Sequence, residues 1–245
     1  MRNIFFIFAL SLFVFPCSSF AEKVDQAYRK IAREYGFKLE SKPQFRGPVR
    51  GVSIPVGETE KELDRFFNAL EVLPQDFVKQ SGINKVMICK NLMLNNEKAD
   101  GVAAGDCIYL NAGFHPRTVY HELFHVFDPK RKNSKWTRLN NREFYYQGSS
   151  FYPQKDNRKN RKRKDKAKSF IADFASSYAQ SFEWEDRAET FAHMIAEKEK
   201  FVQTAKKSPV LTKKMYYIIE ITSSKKLLGK DFWSDHLCIP TSEMR

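Results

Sequence analysis

His121, Glu122 and His125 stand at the spacing H-E-x-x-H. On an α-helix, residues four apart share one face, so both imidazoles can reach a single metal ion. Paired neutral imidazoles suit zinc, which takes four ligands in a tetrahedron. The Glu122 carboxylate is then placed to act as general base on a water activated there. Asp128 follows on the same face three residues after His125. It could ligate, but as the last helical residue before Pro129 it reads more simply as an acceptor for an imidazole N–H, or as a solvated terminus.

A catalytic zinc keeps one position open for water and so needs a third protein ligand. Candidates fall in residues 181–195, where Trp184, Ala188, Phe191, Ala192 and Ile195 recur at helical spacing and Glu185 and Glu189 stand one turn apart on another face. If Glu185 coordinates the metal, Glu189 can accept a hydrogen bond from a ligating histidine and fix its tautomer. The competing explanation is the helix dipole, which favours acidic residues such as Glu183, Glu185 and Asp186 in a first turn. The upstream H-E-x-x-H tips the balance toward a ligand at Glu185.

These residues need a frame. Pro116 is a good first helical residue, and the spacing predicts a helix over 116–128 with Val119, Leu123, Val126 and Phe127 on its buried side. Upstream, residues 85–90 (Val86, Met87, Ile88, Cys89) and 106–111 (Cys107, Ile108, Tyr109, Leu110) read as strands. The small residues 99–105 between them read first as a flexible loop. Their functional alternative is an edge strand whose free backbone, at Val102 and Ala103, pairs with an extended peptide substrate.

Amphipathic helices are expected over 22–35, with Gly36 as the stop, over 59–73 and over 74–80. Residues 37–57 read as an extended segment with a short strand at 52–54. A helix continuing to about residue 200 and another over 209–228 read as C-terminal packing, with His193 and His236 structural or exposed. The expected fold is a single α+β zincin-like domain over 22–245. A small mixed sheet precedes the H-E-x-x-H helix, and a mostly helical C-terminal half carries Glu185, the site core spanning about 101–195.

Residues 1–21 form a separate object: Arg2, an apolar core from Ile4 to Phe15, then Ser19-Phe20-Ala21 as a small-x-small cleavage site. This is the pattern of a secretory signal peptide. Its apolar core is short for a bilayer of ~30 Å, and Pro16 argues against a lipoprotein at Cys17. No later stretch reads as transmembrane, so the mature chain is expected in the periplasm or outside the cell. Cleavage near Ala21 leaves Cys89, Cys107 and Cys238 in an oxidising compartment. A Cys89–Cys107 disulfide is favoured because the two lie on strands expected to be neighbours. The alternative is Cys238 tying the tail to one of those strands.

The net charge of +13 favours acidic or anionic partners. Its densest run, residues 155–168, holds nine Lys or Arg and two Asp and reads as a solvated insertion, with an anionic surface as the functional alternative. It contains no aromatic residue to stack on bases, so no specific nucleic-acid partner is expected.

His121-Glu122-x-x-His125 followed by Tyr178-x6-Glu185-x-x-Ala188-Glu189-x-Phe191 resembles the glutamate-zincin metallopeptidases, most closely the catalytic domain of anthrax lethal factor and its bacterial relatives, over roughly residues 101–195. The resemblance implies His121, His125 and Glu185 as zinc ligands and Glu122 as general base. It makes Tyr178 the hydroxyl that stabilises the tetrahedral intermediate, with Glu189 behind the ligands. Phe170, Ile171, Phe174 and Tyr178 are also spaced like core positions, which offers a packing role for the same tyrosine. Two departures stand out: the gap from His125 to Glu185 is longer than in thermolysin-like enzymes and contains the basic insertion, and the chain has no room for lethal factor's substrate-docking domains. The expected function is an exported zinc-dependent metallopeptidase acting on protein or peptide substrates. The rivals are an exported basic polyanion- or envelope-binding protein with a structural or vestigial metal site, and a zinc hydrolase of non-peptide amides or cell-wall peptides.

Overall fold

The computed structural model describes residues 18–40, 44–128, 133–148, 168–224 and 227–243. The expected signal peptide lies outside them up to residue 17. Helix α1 (Ser18–Glu34) therefore starts earlier than its periodicity predicts, running through Ser19-Phe20-Ala21. Gly36, at φ +85°, supplies the left-handed stop: its N–H bonds to Arg33 O, and the N–H of Phe37 bonds to Ala32 O. Strands β1 (Lys38–Leu39) and β2 (Val49–Ser53) follow, then helices α2 (Val56–Leu70) and α3 (Gln75–Gln80). Tyr28 of α1 stacks on Phe67 of α2 with ring centroids 5.5 Å apart.

The sheet is built around β3 (Lys85–Leu94), longer than its apolar run predicts. It turns back through Asn95 and Asn96, both at positive φ, into the short β4 (Glu97–Lys98); two left-handed turn residues are what a tight hairpin requires. Strands β5 (Gly101–Ala104) and β6 (Cys107–Asn111) complete it. The order is β1-β3-β6-β5, with β2 and β4 also pairing with β3. β1 and β6 run parallel to β3, and β5 runs antiparallel to β6. Side chains alternate across the sheet as the period of two demands. Val86, Ile108 and Leu110 join the main core under the helices, whereas Met87, Cys89, Cys107 and Tyr109 join a second cluster with Val49, Leu92 and Val102.

Residues 101–104 thus form an edge strand rather than the loop expected first. Their small side chains give little β signal of their own; the strand exists because β6 and the following helix are there to receive it. That helix, α4 (Pro116–Phe127), packs against β5, β6, α2 and, most extensively, the later helix over Glu183–Ala196.

After α4 come α5 (Ser134–Thr137), the 3-10 turns Lys168–Asp173 and Tyr178–Gln180, α6 (Glu183–Ala196), α7 (Lys198–Ala205), α8 (Pro209–Ser224) and α9 (Lys230–Leu237). The helix expected to reach about residue 200 breaks at Glu197, and α9 is an addition to the expected set. One core cluster runs from Ala32 to Ile239. Residues 155–167 of the basic run lie outside the described residues.

The Cys89–Cys107 disulfide is not formed; both thiols are free and buried, and Cys238 is free and exposed. The strands are neighbours, as expected, but parallel, with Cys107 opposite Lys85 and Cys89 opposite Asn111. Four residues of offset at about 3.3 Å each place the cysteines far beyond the ~4.4–6.8 Å Cα separation of a disulfide.

Candidate metal centre

Helix α4 is fixed at its N-terminal end. His115 caps it, its Nδ1 accepting from the Arg117 N–H at 3.1 Å, and Pro116 opens the first turn. Eight of its twelve residues are buried, including His121, Glu122 and His125. Polar groups this enclosed need partners of their own. Helix α6 supplies them, docked through Phe191 stacked on Phe124 with centroids 4.8 Å apart.

Three donor atoms converge between the two helices. His121 Nε2 and His125 Nε2 are 3.0 Å apart, and Glu185 Oε2 lies 3.1 Å from the first and 3.0 Å from the second. Two imidazoles and a carboxylate are a common donor set for catalytic zinc, and tetrahedral bonds of ~2.0–2.1 Å give ligand edges of about 3.3–3.4 Å, close to this triangle. The three residues form a group able to hold a metal ion, and all are buried.

The outward atoms of His121 and Glu185 are also held. Glu189 Oε1 lies 2.8 Å from His121 Nδ1, which directs the Nε2 lone pair toward the cluster when Nδ1 carries the proton. Glu189 Oε2 accepts a hydrogen bond from the Ser176 hydroxyl. Glu185 Oε1 accepts from Trp184 Nε1 at 3.0 Å. Neither Ser176 nor Trp184 is marked by the sequence as a partner of the site: Ser176 belongs to no motif, and Trp184 reads only as one apolar residue of a helical set.

The acidic first turn of α6 divides its work. Glu183 accepts from the Asn133 N–H at 2.7 Å and the Thr137 hydroxyl at 2.8 Å, tying down α5. Asp186 Oδ2 accepts from Trp136 Nε1 at 3.0 Å, Tyr146 Oη at 2.8 Å and Lys214 Nζ at 2.9 Å, with Asp186, Trp136 and Lys214 fully buried. The helix dipole alone does not account for these specific partners.

Asp128 does not face an imidazole. Its Oδ2 pairs with Arg187 Nε at 2.5 Å, and the buried Nδ1 of His125 has no hydrogen-bond partner among the described residues. The residue leaves the helical conformation at φ −120°, ψ 87°, which turns it off the face the periodicity assigns to it.

A cleft opens onto the cluster, lined by His121, Glu122, His125, Glu185 and Tyr178 and by Leu94, Ala99, Gly101, Val102 and Ala103. Tyr178 is half-buried, its ring 6.0 Å from that of His121. Glu122 reaches the cleft because Gly101 has no side chain. A Cβ there would stand 2.7 Å from Glu122 Cγ, 2.8 Å from its Oε1 and 2.6 Å from Thr118 Cγ2.

Burial disfavours charge on His121, yet its hydrogen bonds to Glu185 and Glu189 outweigh this and hold its pKa well above the usual histidine value. At His125 burial prevails and pushes the pKa down, against the pull of Glu185. Burial also opposes the Glu185 carboxylate, but His125 and His121 hold it well below the ordinary range; Glu189, opposed by burial and aided by His121, is brought down to about 2. Two buried carboxylates thus stay ionised beside two imidazoles of which only His121 is drawn toward its charged form. That imbalance fits a divalent cation.

No family model matches the chain, and no curated protein matches it. Among solved structures, the fold is similar to the crystal structure of a candidate zinc-binding metallo-peptidase from Bacteroides caccae. The TM-score is 0.58, 94% of this chain and 96% of that one are covered, and the sequences are 11% identical. At that identity the likeness is one of fold: the α+β zincin-like architecture extends over nearly the whole chain.

Proposed function

We propose that this protein is a zinc-dependent peptidase in which His121, His125 and Glu185 hold the metal. The convergence of their three donor atoms within 3.1 Å of one another, between two helices brought together from distant parts of the chain, carries the reading. When bound, zinc lowers the pKa of a water toward ~7 and polarises a substrate carbonyl. Glu122 takes the proton of the attacking water and returns it to the departing amine. The Tyr178 hydroxyl, from a ring that lines the same cleft, donates to the oxygen on which negative charge develops. Glu189 fixes the tautomer of His121.

An extended peptide is the substrate this cleft suits. β5 is an edge strand whose described pairing is with β6 alone, and Val102 and Ala103 line the cleft beside Glu122. Main-chain pairing there would set an amide bond across the cluster without demanding a particular side chain. No described helix is long and apolar enough to cross a membrane, and the leader-like residues 1–21 support export.

The test is metal analysis of the purified protein combined with cleavage of an unfolded protein substrate, with and without chelator. One zinc per chain and chelator-sensitive cleavage are expected. Glu122→Gln should keep the zinc and lose about 10²–10⁴-fold in turnover. A Glu122→Gln enzyme of full activity would remove Glu122 from the mechanism.

A further inference from the structure

The two oxygens of Glu185 face different partners. Oε2 lies 3.1 and 3.0 Å from the Nε2 atoms of His121 and His125, while Oε1 accepts the Trp184 indole N–H at 3.0 Å. The indole is itself braced, stacked on Phe182 with centroids 4.5 Å apart and planes at 8°. Glu185 is only 2% exposed, so water offers Oε1 little alternative.

We infer that Trp184 is a positioning residue that makes Glu185 a one-oxygen ligand. The inference rests on the metal site proposed above. An indole N–H can only donate, so its partner has to be an oxygen lone pair that is then withdrawn from the metal. A carboxylate that turned both oxygens inward would take a further coordination position, the one a catalytic zinc keeps open for water or substrate. Neighbouring acids cannot replace Glu185 in this arrangement, because Glu183 and Asp186 are bound to α5, Tyr146 and Lys214. Trp184 therefore keeps the open position open.

The full-length wild type and W184F are compared in two measurements: zinc affinity by competition with a chromogenic chelator, and the visible spectrum after loading with Co²⁺. Phenylalanine keeps an aromatic face for Phe182 and loses the N–H together with the volume of the smaller ring. Expected in W184F is a zinc affinity lower by about 10–100-fold, the range for lost outer hydrogen bonds to metal ligands. Its Co²⁺ bands should also weaken, from the strong absorption of four-coordination toward that of five, as Glu185 turns its second oxygen inward. An unchanged affinity and spectrum would overturn the role of Trp184 while leaving the metal site intact. A wild type that binds neither ion overturns the site and this inference with it. Should W184F fail to fold, indole N–H exchange in the wild type decides: continued protection of the Trp184 proton with zinc bound supports the inference, and its release on zinc binding overturns it.

Discussion

Asp128 and Arg187 form an ion pair, Oδ2 to Nε at 2.5 Å, that joins the end of α4 to the first turns of α6. The arginine side chain is 1% exposed and the aspartate 26%. Breaking such a pair from the acidic side leaves a guanidinium in the interior with less to balance it. Asp128→Ala is expected to lower stability by about 2–4 kcal/mol, read from the urea midpoint at constant slope. Because the Asp128 carboxylate pairs with Arg187 and the His125 Nδ1 has no hydrogen-bond partner among the described residues, zinc affinity of the folded variant should fall less than in a variant of Glu189. An equal fall would return Asp128 to the role its sequence position first proposes for it.

Glu189 is the residue whose loss should be felt at the metal. Glu189→Gln keeps the size of the side chain but weakens the acceptor beneath His121, and a fall in zinc affinity of about 10–100-fold is expected by competition titration. Ser176→Ala removes the hydroxyl behind Glu189, one hydrogen bond further from the cluster, so its effect should have the same sign and a smaller size. A larger effect from Ser176 than from Glu189 would contradict that order.

Gly101 is a packing requirement more than a turn residue. The Cβ of Gly101→Ala would meet Thr118 and Glu122 at 2.6–2.8 Å, and overpacking of this kind costs about 1–3 kcal/mol. Since Glu122 must yield or β5 must lift away from α4, turnover should drop more than zinc binding does. Wild-type turnover with lower stability alone would show that Glu122 has room to shift harmlessly.

The thiols of Cys89 and Cys107 should be unreactive in the folded protein. Both are buried, and burial pushes the Cys89 pKa up to about 11, far from the thiolate that reacts. Titration with an aromatic disulfide reagent is expected to label Cys238 quickly and the other two only after unfolding. A non-reduced digest containing a Cys89–Cys107 peptide pair would contradict the parallel register of β3 and β6.

The parts of the site written in local spacing were legible. Pro116 and the apolar period marked α4 to within one residue, and the i, i+4 pairs His121/His125 and Glu185/Glu189 put each set of polar groups on one face. What depends on another segment was not. Asp128 meets Arg187 across 59 positions of chain, and no local pattern announces that partner. The cysteine strands were rightly paired but could not be registered, because alternating apolar residues fix which face a side chain takes and leave the slide between parallel strands open. Trp184 and Ser176 look like core and loop residues until the two helices meet.

His125 and Glu185 are 60 positions apart, yet the helices that carry them are locked together by Phe124 on Phe191 and by Asp128 on Arg187. Closing a flexible connection becomes costlier only slowly with its length, by about 0.6 kcal/mol for each doubling. A change of length between the two helices must still spare the residues that reach back to the site: Asn133 and Thr137 bind Glu183, Trp136 and Tyr146 bind Asp186, Ser176 binds Glu189, and Tyr178 lines the cleft.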